Sequence, residues 1–235
     1  MDNYKGVLVC GEMADGKLAP ITIELLGVGR KLADELGEEL SILLLGSKSG
    51  ALGQDAIAYG ADNVYISEDS LFDIYNSDAY TMATANLCKK ILPSIMLFGY
   101  TDIGCDLSPR LNGRLGGGLS MECSALSIDP ATKLLVTTRP VFGGNALATM
   151  LSKTARPQMA TIRAKVMPPA EHNDSRQGKV IPLEDKVDPS ALKVKVIEKI
   201  KEEVEGVKLE DAEVVVAGGR GMGTAADFAK LRELA

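Results

Sequence analysis

The amino-acid sequence predicts an α/β fold, a three-layer α/β/α arrangement around a mostly parallel sheet with antiparallel additions. Three observations carry this reading. Strand-sized apolar runs bounded by glycine alternate with segments of helical spacing over residues 5–115. Leu40 to Leu45 is nearly continuous in apolar character, as suits a strand covered on both faces. Regular strand–helix alternation is the rhythm of parallel strands joined by crossover helices.

The elements follow in order. Lys5 to Cys10 is a short β-rich run. From Pro20 to Leu36 the apolar residues Ile21, Leu25, Val28, Leu32 and Leu36 step by three and four, with Gly37 placed to cap the helix. Leu40 to Leu45 ends at Gly46; Asp55 to Tyr59 is helical up to Gly60; Asn63 to Ile66 is a third strand. Tyr80 to Leu92 is a helix closed by Pro93, Ile95 to Phe98 a fourth strand, and Leu107 to Leu115 a further helix.

After Gly116-Gly117-Gly118 the rhythm changes. Met121 to Ile128, Leu134 to Arg139, Ala146 to Leu151 and Gln158 to Arg163 are β-like runs separated by turn residues. They are expected as antiparallel additions at one edge of the parallel sheet. Ala164 to Pro189 is polar and rich in proline, and reads as a linker. Residues 1–188 then form one domain. Within 189–235, Leu192 to Ile197 reads as an alternating strand and Glu198 to Val204 as a charged segment. Glu213 to Ala217 reads as a strand running through a glycine turn into a helix from Ala225 to Leu234. About 23 residues from Glu213 onward cannot bury such a strand, so 189–235 reads as a linker strand and the truncated start of a second α/β domain.

Composition removes several classes of function. A net charge of −6 argues against a nucleic-acid backbone or an anionic membrane as main partner. No apolar run approaches the ~20 residues of a membrane span, and no basic, apolar leader opens the chain, which points to a cytoplasmic protein without membrane insertion. Four cysteines without a CxxC pair, and a single histidine, do not make a zinc site of usual spacing. Cys10 and Cys88 read as small core residues, and His172 has no catalytic partner near it in sequence. No nucleophilic triad, phosphate loop of Walker type or paired carboxylates stand out, so no catalytic residue is assigned and the segment does not read as an acid–base or nucleophilic enzyme.

Two motifs invite a ligand. Gly218, Gly219, Arg220 and Gly221 lie between the strand and helix read above, where glycines let backbone approach a phosphate and an arginine can fork onto its oxygens. The bland alternative is an ordinary glycine-rich turn, since the spacing meets the dinucleotide fingerprint only loosely. Arg139-Pro140-Val141-Phe142-Gly143-Gly144-Asn145 sets a guanidinium and an aromatic ring beside glycines; an exposed hairpin arginine is its alternative. Asp106, Arg110 and Arg114 share a helix face and read as a solvated ion-pair ladder.

At these motifs the sequence resembles the alpha subunits of electron-transfer flavoproteins over essentially its whole length. The matching stretches are Leu18 to Thr22, Asp106 to Arg110, Arg139 to Asn145, Arg156 to Arg163 and Val214 to Gly221. The resemblance implies an electron carrier that shuttles electrons by way of FAD between a dehydrogenase, such as an acyl-CoA dehydrogenase of fatty-acid oxidation, and a redox partner. It implies a heterodimer in which residues 1–188 dock on a beta subunit. It makes Gly218, Gly219, Arg220 and Gly221 contacts to FAD, with most remaining contacts beyond Ala235, so that FAD is expected to be absent from these residues alone. The turn carrying Arg139, Phe142 and Gly143 is similar to that of electron-bifurcating members, which implies that it faces a flavin of the beta subunit. Ile162-Arg163-Ala164 departs from the family, where proline often follows the arginine. Two other classes compete: a nucleotide-dependent dehydrogenase, which lacks an acid or base beside the glycine turn, and a nucleotide-binding α/β regulatory module without redox chemistry.

Overall fold

The computed structural model of the chain describes residues 3–184, 186–198, 200, 212 and 214–234. Its contacts divide into two compact units, Met1–Val196 and Ile197–Ala235.

In the first unit β1 (Val7–Cys10) leads into a minimal hairpin, β2 (Met13–Ala14) and β3 (Lys17–Leu18), and then α1 (Pro20–Leu36). Next come β4 (Leu40–Leu45), α2 (Gly53–Ala58) and β5 (Asn63–Ser67). α3 (Ser77–Ile91), β6 (Ile95–Gly99) and α4 (Asp102–Leu115) complete the alternation. The remaining strands are β7 (Gly118–Cys123), β8 (Ala125–Ile128), β9 (Leu135–Val141), β10 (Ala146–Leu151), β11 (Gln158–Ile162) and β12 (Lys179–Pro182). α5 (Ala229–Leu234) belongs to the second unit.

The predicted fold class holds. A seven-stranded sheet in the order β12-β5-β4-β1-β6-β11-β7 is parallel at every pairing. Alternate residues of its strands serve two cores, as the period of two requires. Val7, Val9, Ile42, Leu44, Ile95 and Leu97 pack in the layer with α1 and α2. Leu8, Cys10, Leu43, Leu45, Met96 and Phe98 pack in the layer with α3 and α4. On α1 the buried residues Ile21, Leu25, Val28 and Leu32 form the anticipated stripe, and Gly37 closes the helix in the left-handed conformation at φ 69°.

Several expectations need correction. Of the β runs after residue 118, only β8, β9 and β10 are antiparallel, and they form a separate three-stranded sheet. β7 and β11 join the main sheet in parallel, with β11 inserted between β6 and β7. β11 is buried along its whole length, the condition under which a strand is covered on both faces. Met121 to Ile128 is therefore two strands in two sheets, parted at Ser124.

The proline-rich stretch is not a free linker. β12 lies inside it and extends the sheet alongside β5, with Pro182 at the edge where its missing N–H costs nothing. The helix read from Leu107 begins at Asp102, because Thr101 caps it by accepting the Gly104 N–H at 3.0 Å. The stretch Leu192 to Ile197 is irregular; Lys193 donates its N–H to Asp78, and the Val194 carbonyl accepts from Asn76. In the second unit Val214 to Ala217 is irregular too, Glu213 lies outside the described residues, and the helix begins as a 3₁₀ turn at Ala225–Phe228. A strand needs a neighbour for its N–H and C=O groups, and the described residues of this unit offer none. The charged segment from Glu198 to Val204 lies largely outside the described residues.

The stretch 164–178 lies against α1 and α2, with the Ala170 N–H donating to the Ile23 carbonyl and the Asn173 N–H to that of Ala58, and further polar contacts tie it down. The Glu24 carboxylate, on a buried residue, accepts the Lys165 N–H. Arg176 and Arg30 both reach Asp62, at 2.8 and 2.7 Å, and the Leu40 N–H donates to it at 2.8 Å. His172 stands edge-on to Tyr59 and faces Asp55 at 3.4 Å, a structural seat on α2. Burial pulls the Asp62 carboxyl up, but the Leu40 N–H and the two guanidiniums together hold it below the usual carboxylate range. Asp62→Ala is accordingly expected to cost about 1–2 kcal/mol at pH 7, the group being partly exposed. A carboxylate whose pKa is lowered by folding contributes stability above its unfolded value near ~3.9 and loses it as the pH falls through the folded value. Urea melts at pH 7 and pH 3 should therefore show wild type and variant converging in acid; an undiminished gap at pH 3 would contradict the ion-pair account.

Candidate functional site

In open α/β sheets ligands bind beyond the carboxyl ends of the strands, where the strand order reverses. Here the reversal lies between β1 and β6. Glu12 fills that crevice. Its N–H donates to the Thr22 hydroxyl at 2.8 Å, its carbonyl accepts from that hydroxyl, and its carboxylate accepts the Thr101 hydroxyl at 2.6 Å. Burial raises the Glu12 carboxyl, the Thr101 hydrogen bond opposes the rise, and the Asp102 charge adds to it. Gly99 and Gly104 leave no slack: a Cβ on Gly99 would lie 2.9 Å from Ile21, and one on Gly104 would collide with the Gly99 carbonyl. What remains between Cys10, Glu12, Tyr80, Phe98 and Ile103 is a cavity of about 20 Å³. That is room for about one water, far below the ~300 Å³ a nucleotide-sized pocket starts from. The geometry thus speaks against the regulatory-module reading at the very place such a module would bind its nucleotide.

Further along the same rim the residues become charged and more open. Glu122 is the next-to-last residue of β7, Arg163 follows β11 and Arg139 stands on β9 opposite Ala148. The Arg139 guanidinium lies 3.7 Å from the Glu122 carboxylate, and Arg163 approaches the other carboxylate oxygen at 3.8 Å. The Arg139 Nε is buried with no hydrogen-bond partner. Burial raises the Cys105 thiol, and the charges of Asp102, Glu12 and Glu122 raise it further, which keeps it protonated and inert beside this rim.

The turn that follows is built on backbone conformations suited to glycine. Phe142, Gly143 and Gly144 have φ values of 53°, 67° and 90°, and the Asn145 side chain donates to the Phe142 carbonyl at 2.9 Å. Phe142 is 83% exposed at the tip, while Arg139 turns back toward Glu122. This edge therefore offers one partly exposed guanidinium, on the strand that leads into the turn, and one exposed aromatic ring at the turn itself. Asp106 and Arg110 do pair, at 3.0 Å, with Tyr75 donating to the same carboxylate.

Gly218, Gly219, Arg220 and Gly221 are all exposed. A Cβ on Gly219 or Gly221 would meet nothing within 4 Å, so backbone approach by a ligand is open there; Gly218 is packed against Leu231 and Met222. The helix that follows is already capped, since Thr224 and Asp227 form a reciprocal capping box. These residues offer openness and one positive charge but no enclosing walls, so by themselves they do not fit a molecule of the size of FAD. Among the described residues no group of three metal-ligating side chains occurs, and no helix is long and apolar enough to cross a membrane.

Glu12 and Glu122 were not singled out in the sequence. The signal for Glu12 was its place one residue beyond the glycine that ends the first strand run. For Glu122 there was none, because its direction depends on pairing with β11.

The family model described as "Electron transfer flavoprotein domain" matches residues 7–188. This chain belongs to the electron transfer flavoprotein family. It is 40% identical over 235 residues to the electron transfer flavoprotein subunit alpha of Thermoanaerobacterium thermosaccharolyticum, covering 100% of this chain and 71% of that one. To the alpha subunit of Megasphaera elsdenii it is 40% identical over 225 residues, covering 96% and 67%. To the protein named lactate dehydrogenase (NAD(+),ferredoxin) subunit LctC of Acetobacterium woodii it is 32% identical over 232 residues, covering 99% and 55%. Electron transfer is the function these family relationships support, and nothing in them favours a regulatory module. Within the electron transfer flavoprotein fold, the Arg139–Glu122–Arg163 cluster is thus a charged rim on a domain whose own switch-point crevice is closed.

Proposed function

We propose that this chain is the alpha subunit of a heterodimeric electron carrier, and that its first unit docks on a beta subunit with the Arg139 turn toward that subunit's flavin. The observation that carries the reading is the pairing of a filled crevice with an exposed cationic rim. A domain that has closed its own nucleotide site, yet presents a partly exposed guanidinium and an exposed ring, is suited to act on a cofactor held elsewhere. Phe142 and Gly143 place the turn, and Arg139 supplies positive charge where a reduced flavin gathers negative charge. Gly218, Gly219, Arg220 and Gly221 give backbone access and a phosphate partner to a second flavin, FAD, whose remaining contacts come from outside the described residues.

The carrier passes electrons between a dehydrogenase, an acyl-CoA dehydrogenase being one candidate, and a redox partner. Similarity to a subunit whose name pairs NAD(+) with ferredoxin, together with Arg139, favours a member that splits electron pairs between two acceptors. Purifying the complete alpha–beta complex and counting its nucleotides tests this. Two FAD per complex is the expected result; one FAD with one AMP would reduce the protein to a simple carrier, and a complex without flavin would refute the reading. The 235-residue chain alone should be colourless, because one open turn buries too little of the cofactor. Stoichiometric yellow flavin in it would overturn that assignment of the walls.

A further inference from the structure

Glu122 occupies a conformation that side chains rarely adopt, with φ at 61°. The cause is visible in the pairing of β7 with β11. Ala160 stands opposite Ser120, but Ile162 stands opposite Cys123, so β7 carries one residue more than its partner across this step. Thr161 absorbs the mismatch: its hydroxyl accepts the Glu122 N–H at 2.8 Å. A β-bulge of this kind re-aims the side chain at the extra residue, and bulges gather next to functional sites. Strained backbone at a non-glycine residue is kept only where the surroundings over-determine it. Here the bulge delivers a carboxylate, 29% exposed, between two guanidiniums.

We infer that Glu122 is a positioning and charge-setting residue, which holds Arg139 on the rim and limits the positive field the cluster presents to the partner's flavin. Arg139 and Arg163 contribute two positive charges and Glu122 one negative, so the cluster carries a net charge of one rather than two. Both ion pairs are long, at 3.7 and 3.8 Å. The carboxylate therefore orients the guanidiniums without fully neutralising either. The Arg139 Nε is buried, but the side chain as a whole is about one-third exposed, so its charge is partly open to a neighbour. The inference rests on the proposal that Arg139 faces that flavin.

The test is Glu122→Gln in the complete alpha–beta complex, read by the midpoint potential of the partner's flavin and by thermal melting. Glutamine keeps an acceptor oxygen for the guanidinium but removes the negative charge. The potential should shift upward, with the melting temperature little changed, and Glu122→Asp, which keeps the charge, should stay close to wild type. Arg139→Ala in the same complex separates the two layers of the argument. If Arg139→Ala lowers the potential while Glu122→Gln leaves it unmoved or lowers it, the role given to Glu122 is wrong and the placement of Arg139 stands. If neither variant moves the potential, both are wrong.

Discussion

Replacing Gly104 with alanine is expected to destabilise the first unit by about 3 kcal/mol or more, the largest effect of any single methyl group added to this rim. The Cβ would strike the Gly99 carbonyl, which is backbone and ends β6. Overpacking usually costs ~1–3 kcal/mol when side chains can give way; here the struck atom belongs to the central sheet, so the upper end applies. Moving α4 aside offers no relief. The Gly104 N–H bonds the Thr101 hydroxyl, which in turn donates to the Glu12 carboxylate, so a shift breaks the helix cap and leaves a buried carboxylate without its donor. Gly113, on the same helix, is the contrast. A Cβ there meets nothing within 4 Å, and the position is exposed and outside the left-handed region. Gly113→Ala should stabilise by ~0.5–1 kcal/mol through helix propensity and a less flexible unfolded chain. Urea melts of both variants decide the matter: equal midpoints would show that the close approach of α4 to β6 is not real.

That contrast also marks where sequence patterning stops informing. β1, β4, β5 and β6 were legible because each is an apolar run cut off by glycine or followed by a helical period, and burial on both faces leaves such runs few alternatives. The start of α4 was not. Thr101 and Gly104 are weak helix formers, and the first turn is set by the Thr101 cap and by packing on β6. The partners of β7 and β11 were not legible either, since strand direction is decided by residues far away in the chain. β12 hid in a polar, proline-bearing stretch because an edge strand needs only one neighbour.

The site divides along the same line. Arg139, Phe142 and the glycines after it stood out as a motif; the structure places Phe142 and the glycines at a hairpin tip and Arg139 on the strand leading into it, turned toward Glu122. Glu122 and Glu12 act through tertiary geometry, a bulge in one case and a filled crevice in the other. No local pattern of residue types announces either. The glycine turn at residues 218–221 was conspicuous in sequence, but the strand expected before it is not formed by the described residues, because a single strand without neighbours has nothing to pair with.

In the complete alpha–beta complex, Arg139→Ala should lower the potential of the partner's flavin while leaving the fold nearly intact. The structural cost is small for identifiable reasons. Arg139 is about one-third exposed, its ion pair with Glu122 is long at 3.7 Å, and its Nε makes no hydrogen bond that the substitution would remove. Loose, partly exposed pairs contribute ~0–1 kcal/mol, so a loss of about 0.5 kcal/mol is expected. The electrostatic effect is larger because it acts on a charge that develops on reduction. A unit charge roughly 5 Å away, at an effective dielectric of ~20, is worth about 3 kcal/mol. Solvent screening of a one-third exposed side chain reduces this to ~1–2 kcal/mol per electron, or on the order of 50–100 mV at about 2.3 kcal/mol per 100 mV. Arg139→Lys should recover part of the shift, since an ammonium restores the charge but not the planar fork. Redox titration and thermal melting of the same preparations distinguish the alternatives. A drop in melting temperature with no change in potential would mean that Arg139 only braces the hairpin, through Glu122, and that the flavin reading of this rim is wrong.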